Sequence, residues 1–209
     1  MKRGIHIVFE GPEAVGKSTQ IMLLEKYLEH KGFEVVRTRE PGVAGLGVKL
    51  RELLLDTDIH IAPRAEALMM AADRAQNVEV EILPSLKKGA VVLSDRHVPS
   101  SLVYQGIVRR LGVEEVKALS DFACNGHQPD IVLCFDLNDD LARSRAKGNP
   151  DRMEREGEDF HQQVRDAYRD LSKKYSWSVI DANGTEEEVS NRINDLIFPL
   201  INGNSSQDV

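Results

Sequence analysis

Two periods alternate along this chain. Short, mostly apolar and β-branched runs fall at 5–9, 34–38, 90–94, Ile131–Asp136 and 177–181. Runs of that length and composition read as strands buried in a parallel sheet. Between them, apolar residues return every three or four positions, the period of an amphipathic helix. Residues 17–31 carry Ile21, Leu24 and Leu28 on one face, with Gly32 as a stop. Residues 65–88 form a long helical pattern that Pro84 bends or resets. Residues 114–123 place Val116, Leu119 and Phe122 on one side, and Phe160, Val164, Tyr168 and Leu171 make a later stripe. Thr185 with Glu188 is a capping box that opens a last helix bearing Val189, Ile193, Leu196 and Ile197. This alternation of strand and helix predicts an α/β fold, a doubly wound sheet with helices on both faces.

Composition narrows the picture. The chain has 209 residues, 41% of them hydrophobic, which suits one domain with a full core. No repeat or linker interrupts it, so a single domain is expected over 1–201, followed by a small, polar and disordered tail at 202–209. A formal net charge of −7 argues against a nucleic-acid partner. Cys124 and Cys134 form no C-x-x-C pair and sit among apolar residues, as reduced core thiols would. The sequence shows neither a membrane-spanning run nor a signal-peptide pattern, so the expected location is the cytoplasm, with no membrane partner.

The chemistry concentrates at three strand ends. Gly11-Pro12-Glu13-Ala14-Val15-Gly16-Lys17-Ser18 fits the phosphate-binding loop G-x-x-x-x-G-K-[ST], and lies between the first strand and the first helix as such a loop must. Its backbone N–H groups and the helix N-terminus would cradle phosphates, Lys17 would reach the β and γ phosphates, and Ser18 would ligate Mg²⁺. Asp95 ends an apolar strand, the Walker B position for a second Mg²⁺ contact, and Arg96 follows it. Arg39-Glu40-Pro41-Gly42 follows the second strand. Two arginines beyond a phosphate loop point to a second, acceptor phosphate site, because two polyanions must be brought together. Residues 143–157 carry five basic side chains around a Gly-Asn-Pro turn, and read as a lid that closes over phosphates. A phosphate loop alone is compatible with a GTPase switch, an ATP-driven machine or a small-molecule kinase. The guanine-reading Asn-Lys-x-Asp motif is absent from the sequence, and the small size and basic lid favour a kinase.

Taken together these motifs resemble the thymidylate kinases, a family of P-loop nucleoside monophosphate kinases. The resemblance rests on Phe9-Glu10-Gly11 through Thr19, Thr38-Arg39-Glu40-Pro41-Gly42, Ala72-Asp73-Arg74, Asp95-Arg96-His97 with Ser100-Ser101 and Tyr104-Gln105-Gly106, Pro129-Asp130, and the Arg152 segment. It implies a P-loop NTPase fold with a five-stranded parallel sheet, a homodimer packed through helices, and transfer of the ATP γ-phosphate to dTMP with Mg²⁺, giving dTDP and ADP in dTTP biosynthesis. ATP would lie on Gly11, Pro12, Glu13, Ala14, Val15, Gly16, Lys17, Ser18 and Thr19, with Ser18 and Asp95 at the metal. Glu13 matches the residue that contacts the sugar 3′-hydroxyl, Arg39 and Arg96 the clamp on the acceptor phosphate, and Arg74 the arginine bonded to thymine. Ser100, Ser101 and Gln105 match polar positions of the acceptor site, and Tyr104 the tyrosine that crowds the sugar 2′ position. Pro41, Leu50 and Leu53 would form apolar walls.

Some family members carry a basic residue where this chain has Ala14; in the others, lid arginines supply the transition-state charge. That assigns Arg152 the main catalytic role beside Lys17 and Arg96, with Arg143 and Arg145 as helpers. Two departures stand out. Met70 replaces the phenylalanine stacked on thymine, and Val43-Ala44 replaces Gly-Thr after Pro41-Gly42. Methionine packs adaptably on a ring face, so a related deoxynucleoside monophosphate kinase of broader or altered base specificity is an alternative, and a non-catalytic nucleotide-binding switch is another.

The lid assignment predicts that Arg152→Ala lowers kcat by at least about a hundredfold while dTMP binding stays largely intact. Steady-state kinetics with a parallel binding titration checks this; an unchanged kcat removes the lid from catalysis.

Overall fold

Five parallel strands make the sheet of the computed structural model, which describes residues 3–43, 45–138, 141 and 157–205. They are β1 (Ile5–Glu10), β2 (Val35–Arg39), β3 (Val91–Asp95), β4 (Ile131–Asp136) and β5 (Ser178–Asp181), in the order β2-β3-β1-β4-β5. Each starts and ends within one residue of its expected place. The register aligns Phe9 with Asp95 and Arg39 with Asp95, so the loops after β1, β2 and β3 leave the sheet side by side. Ligands of open α/β sheets bind at that edge.

The helices are α1 (Lys17–His30), α2 (Leu46–Leu55), α3 (Pro63–Asn77), α4 (Leu83–Lys87), α5 (Val98–Ser101), α6 (Val113–Ala123), α7 (Glu158–Tyr175) and α8 (Glu186–Ser205). Two π-helical segments, Val78–Ile82 and Leu102–Val108, continue α3 and α5. Strand alternation sorts the core. Ile5, Ile7 and Phe9 of β1, with Leu93 and Phe135, pack against Ile21, Leu24 and Leu28 of α1 and Val189, Ile193 and Ile197 of α8. Val92 meets Val78, Ile82 and Cys124 on the opposite face, where Cys134 meets Leu102, Val116, Val164 and Tyr168. On β1 that second face carries His6 and Glu10, both 0% exposed, so its interior is partly polar.

Four sequence expectations change in detail. The single helix over 65–88 is α3, a π-helical segment and α4; the wider turn comes just before Pro84, whose ring and missing N–H disfavour an unbroken α-helix. Helix α2 has no counterpart in the sequence reading. Val116 is buried, but Phe122 is 87% exposed and does not join it in the core. The polar stretch from Asn202 continues α8 to Ser205, and 206–209 lie outside the described residues. Ala44 and the lid arginines Arg143, Arg145 and Arg152 also lie outside them.

The capping box is formed as expected. The Thr185 amide donates to Glu188 Oε2 at 2.7 Å, and the Glu188 amide donates to Thr185 Oγ1 at 3.2 Å. Thr185→Ala is expected to lower stability by about 0.5–2 kcal/mol, the usual loss for a helix N-cap, read as a shifted urea midpoint at constant m-value.

Candidate active site

The turn from β1 into α1 is shaped by sterics. Gly11 has φ +133°, and a Cβ there would stand 2.7 Å from the Phe135 carbonyl oxygen, so no other residue fits. The chain curls over 12–16 and enters α1 at Lys17. Lys17 is buried, and its Nζ donates to the carbonyls of Gly11 at 3.1 Å and Pro12 at 2.5 Å. Burial and the neighbouring Arg96 charge push the ammonium down to about 7, against the pull of Asp95, Glu10 and Glu13. The Ser18 hydroxyl lies 3.4 Å from Asp95 Oδ2, so the two oxygens expected at the metal meet at the mouth of the loop.

Arg96 follows directly with φ +71°, a left-handed turn that carries its side chain back toward the loop. The two hydrogens of its Nη1 are shared among three acceptors at 3.1 Å, the Gly11 carbonyl, the Ser100 hydroxyl and the Tyr168 hydroxyl. The guanidinium carbon sits 5.6 Å from the Tyr104 ring centroid, and Nη2 lies 4.0 Å from Glu13 Oε1. Glu13, Arg96, Ser100 and Tyr104 are thus gathered in one place. Arg39 is exposed at the end of β2 and lines a cavity of about 660 Å³ together with Ser18, Thr38, Gly42 and Asp95. A second cavity, of about 450 Å³, runs from Ala14, Lys17 and Thr19 across to Ala182, Gly184 and Thr185. Its floor is tied by Gln20, which donates to the Glu186 carbonyl at 2.9 Å and accepts from Ser190 at 2.7 Å.

The acceptor-side residues are less open. Arg74 is 1% exposed. It donates to Glu40 Oε2 at 2.8 Å, Ser120 Oγ at 3.1 Å, and the His97 carbonyl and Ser101 Oγ at 3.0 Å each. A guanidinium has five N–H donors, so among the described residues a single Nη1 hydrogen is uncommitted. The Gln105 nitrogen donates to Glu66 Oε1 at 2.8 Å, while its buried Oε1 has no hydrogen-bond partner among the described residues. Met70 is half-buried on α3, and Pro41 is half-buried after a cis peptide bond. Of the apolar walls, Leu50 is half-buried and Leu53 is 47% exposed.

Several important residues were not singled out by the sequence. Arg51 donates to the Pro41 carbonyl at 2.8 Å and packs on Gly42. Glu40 accepts from Arg74, from His97 Nδ1 at 2.8 Å and from Asn77 at 3.2 Å. Burial pushes Glu40 upward, but the Arg74 and His97 charges outweigh it and hold the carboxyl at about 2. Glu10 accepts from the His97 and Ser100 amides and from the Ser100 and Tyr168 hydroxyls. The available signal was an acid at the end of β1 and another directly after β2, where a buried unpaired charge would be costly.

The thymidylate kinase family model matches residues 9–193. A thymidylate kinase of Clavibacter michiganensis subsp. michiganensis is 45% identical over 208 residues, covering 97% of this chain and 99% of the relative. One from Caldicellulosiruptor saccharolyticus is 41% identical over 202 residues, covering 95% and 98%. One from Finegoldia magna is 44% identical over 187 residues, covering 88% and 92%.

His97 supplies a pH test of the buried network. Burial lowers its pKa, but the Glu40 carboxylate prevails and raises it from 6.5 to about 9. A folded pKa above the unfolded one stabilises fully below pH 6.5, and that contribution is lost as pH rises through about 9. The stability difference between wild type and His97→Gln, measured by urea denaturation, is expected to shrink between these two pH values. A difference independent of pH would show that the ring is neutral in the fold.

Proposed function

The chain belongs to the thymidylate kinase family, and from that premise we propose how its cleft works. The protein is an ATP-dependent nucleoside monophosphate kinase that transfers the γ-phosphate of ATP to dTMP, giving dTDP and ADP. One observation carries the assignment of the reacting centre. Lys17, the Ser18–Asp95 pair and Arg96 meet where β1 and β3 end.

In this arrangement the loop amides and Lys17 bind the ATP phosphates, and the nucleoside lies in the cavity between the loop and Thr185. Mg²⁺ prefers hard oxygen ligands and keeps several waters. The Ser18 hydroxyl and the Asp95 carboxylate are such ligands, and Ser18 is exposed to solvent. When bound, the ion offsets charge on the β- and γ-phosphate oxygens. Arg96 and Arg39 hold the acceptor phosphate, and Glu13 takes the sugar 3′-hydroxyl. The Tyr104 ring, packed against Arg96, fills the space beside the sugar 2′ position. Segment 143–157 brings Arg152, helped by Arg143 and Arg145, to the γ-phosphoryl group and excludes water. Phosphoryl transfer asks little covalent chemistry of the protein, so alignment and positive charge make up most of the catalysis.

Thymine lies by Met70, Ser101, Gln105 and Arg74. Met70 packs adaptably on a ring face, which favours a second reading in which dUMP is also accepted. A homodimer would cover Leu68 of α3 and Phe122 of α6, which are 59% and 87% exposed on helices that pack together. No described helix is long and apolar enough to cross a membrane, and the proposed location is the cytoplasm.

The test is an acceptor profile, with ADP release measured for dTMP, dUMP, dCMP, dGMP and the ribose form of TMP. dTMP is expected among the best acceptors, with the ribose form and dCMP poorer by about tenfold or more. A profile in which dTMP is not among the best overturns the base assignment. Nucleotide binding without acceptor-dependent turnover overturns the kinase itself.

A further inference from the structure

Glu10, the last residue of β1, faces away from the Phe9 core and is 0% exposed. One carboxylate oxygen accepts the amides of His97 at 2.7 Å and Ser100 at 3.2 Å. The other accepts the hydroxyls of Ser100 at 2.7 Å and Tyr168 at 2.9 Å. A carboxylate only accepts, and each hydroxyl has one hydrogen. The two hydroxyls also lie 3.0 Å from each other, but the carboxylate is the stronger acceptor, so both hydrogens point at Glu10 and the lone pairs of both oxygens face elsewhere. What they face is Arg96 Nη1, 3.1 Å from each. A guanidinium only donates, so the polarity runs one way: from Arg96 to the two hydroxyls, and from these to Glu10.

The effect on Arg96 is directional. Nη1 is fixed by the two hydroxyls and the Gly11 carbonyl, and the Tyr104 ring packs against the guanidinium. Nη2 is left on the side of Glu13, toward the phosphate loop. The Tyr168 ring is itself braced edge-on against Tyr104, with centroids 6.4 Å apart at 80°. Tyr168 comes from α7, whereas Arg96 follows β3. This hydroxyl therefore couples the seating of α7 to the aim of the arginine.

We propose that Tyr168 is a positioning residue for phosphoryl transfer: together with Ser100, and oriented by Glu10, it aims Arg96 at the acceptor phosphate. The inference rests on the assignment of Arg96 as the acceptor clamp and adds the residue that sets its direction.

Tyr168→Phe keeps the ring and removes only the hydroxyl. The Kd for dTMP, measured by calorimetry, is expected to rise about tenfold, the usual loss for a hydrogen bond to a charged group. The Kd for thymidine, which has no phosphate, is expected to change less than about twofold on the same scale. In an Arg96→Lys background, where the planar fork is gone, Tyr168→Phe is expected to change dTMP affinity less than about twofold. Equal weakening of dTMP and thymidine, or the full effect in the Arg96→Lys background, would assign Tyr168 to packing and overturn the inference. Should Tyr168→Phe fail to fold, Glu10→Gln, which keeps the shape and removes the charge that orients both hydroxyls, reads the same comparisons. An Arg96→Lys protein with unchanged dTMP affinity overturns the clamp and the inference with it. A weakened Arg96→Lys beside an unaffected Tyr168→Phe overturns the inference alone.

Discussion

Glu40 stands where the end of β2, α3 and the connection after β3 come together, and its charge decides how they meet. It follows directly on β2 at 2% exposure and accepts Arg74 and Asn77 from α3 and His97 from the connection after β3. Arg74 then reaches Ser120 of α6 and Ser101 of α5. Measured against a well-packed apolar substitute, a buried ion pair adds little stability; removing one partner costs about 3–5 kcal/mol, because the other charge is left without water or a counterion. The value of Glu40 is therefore geometric. Two cations each take a different oxygen of one carboxylate, and satisfying both leaves few arrangements of α3 relative to β3.

The same logic follows from the alternation along β1. Ile7 and Phe9 face an apolar interior made by α1 and α8, while His6 and Glu10 face the opposite side. A polar residue on that second face needs partners brought by other elements. His6 Nε2 pairs with Ser94 of β3 at 2.8 Å, and its Nδ1 pairs with His127 at 2.9 Å. Burial, with His97 and His127 nearby, keeps the His6 ring well below its ordinary pKa, so the ring bridges as a neutral group. Both faces carry apolar clusters, but only the second also supplies direction to the side chains at the ends of the strands.

Much of this was readable from the residues in order. The strands were, because buried parallel strands are continuous apolar runs bounded by turns. The phosphate loop was, because its parts are contiguous, and so was the Thr185–Glu188 cap. Helix α2 was not, because Leu46, Val48 and Leu53 remain exposed at 48%, 45% and 47% and blur any apolar face. Phe122 was misplaced because helical period states which side a residue is on, not whether anything covers that side. Glu10 and Tyr168 lie 158 positions apart, and Glu40 and Arg74 lie 34 apart. No local pattern encodes such a pairing, and the inward turn of Arg74 emerges only when the sheet has closed the distance.

Lys17 carries one more consequence. Its amine is turned back onto the carbonyls of Gly11 and Pro12, and burial beside Arg96 lowers its pKa to about 7. The two carbonyls satisfy the ammonium hydrogen bonds without supplying a counter-charge, so the carboxylates of Asp95, Glu10 and Glu13 are what oppose the loss of its proton. The cation of the loop is sustained from the ends of β1 and β3, and a change in either acid there reaches the loop without touching it.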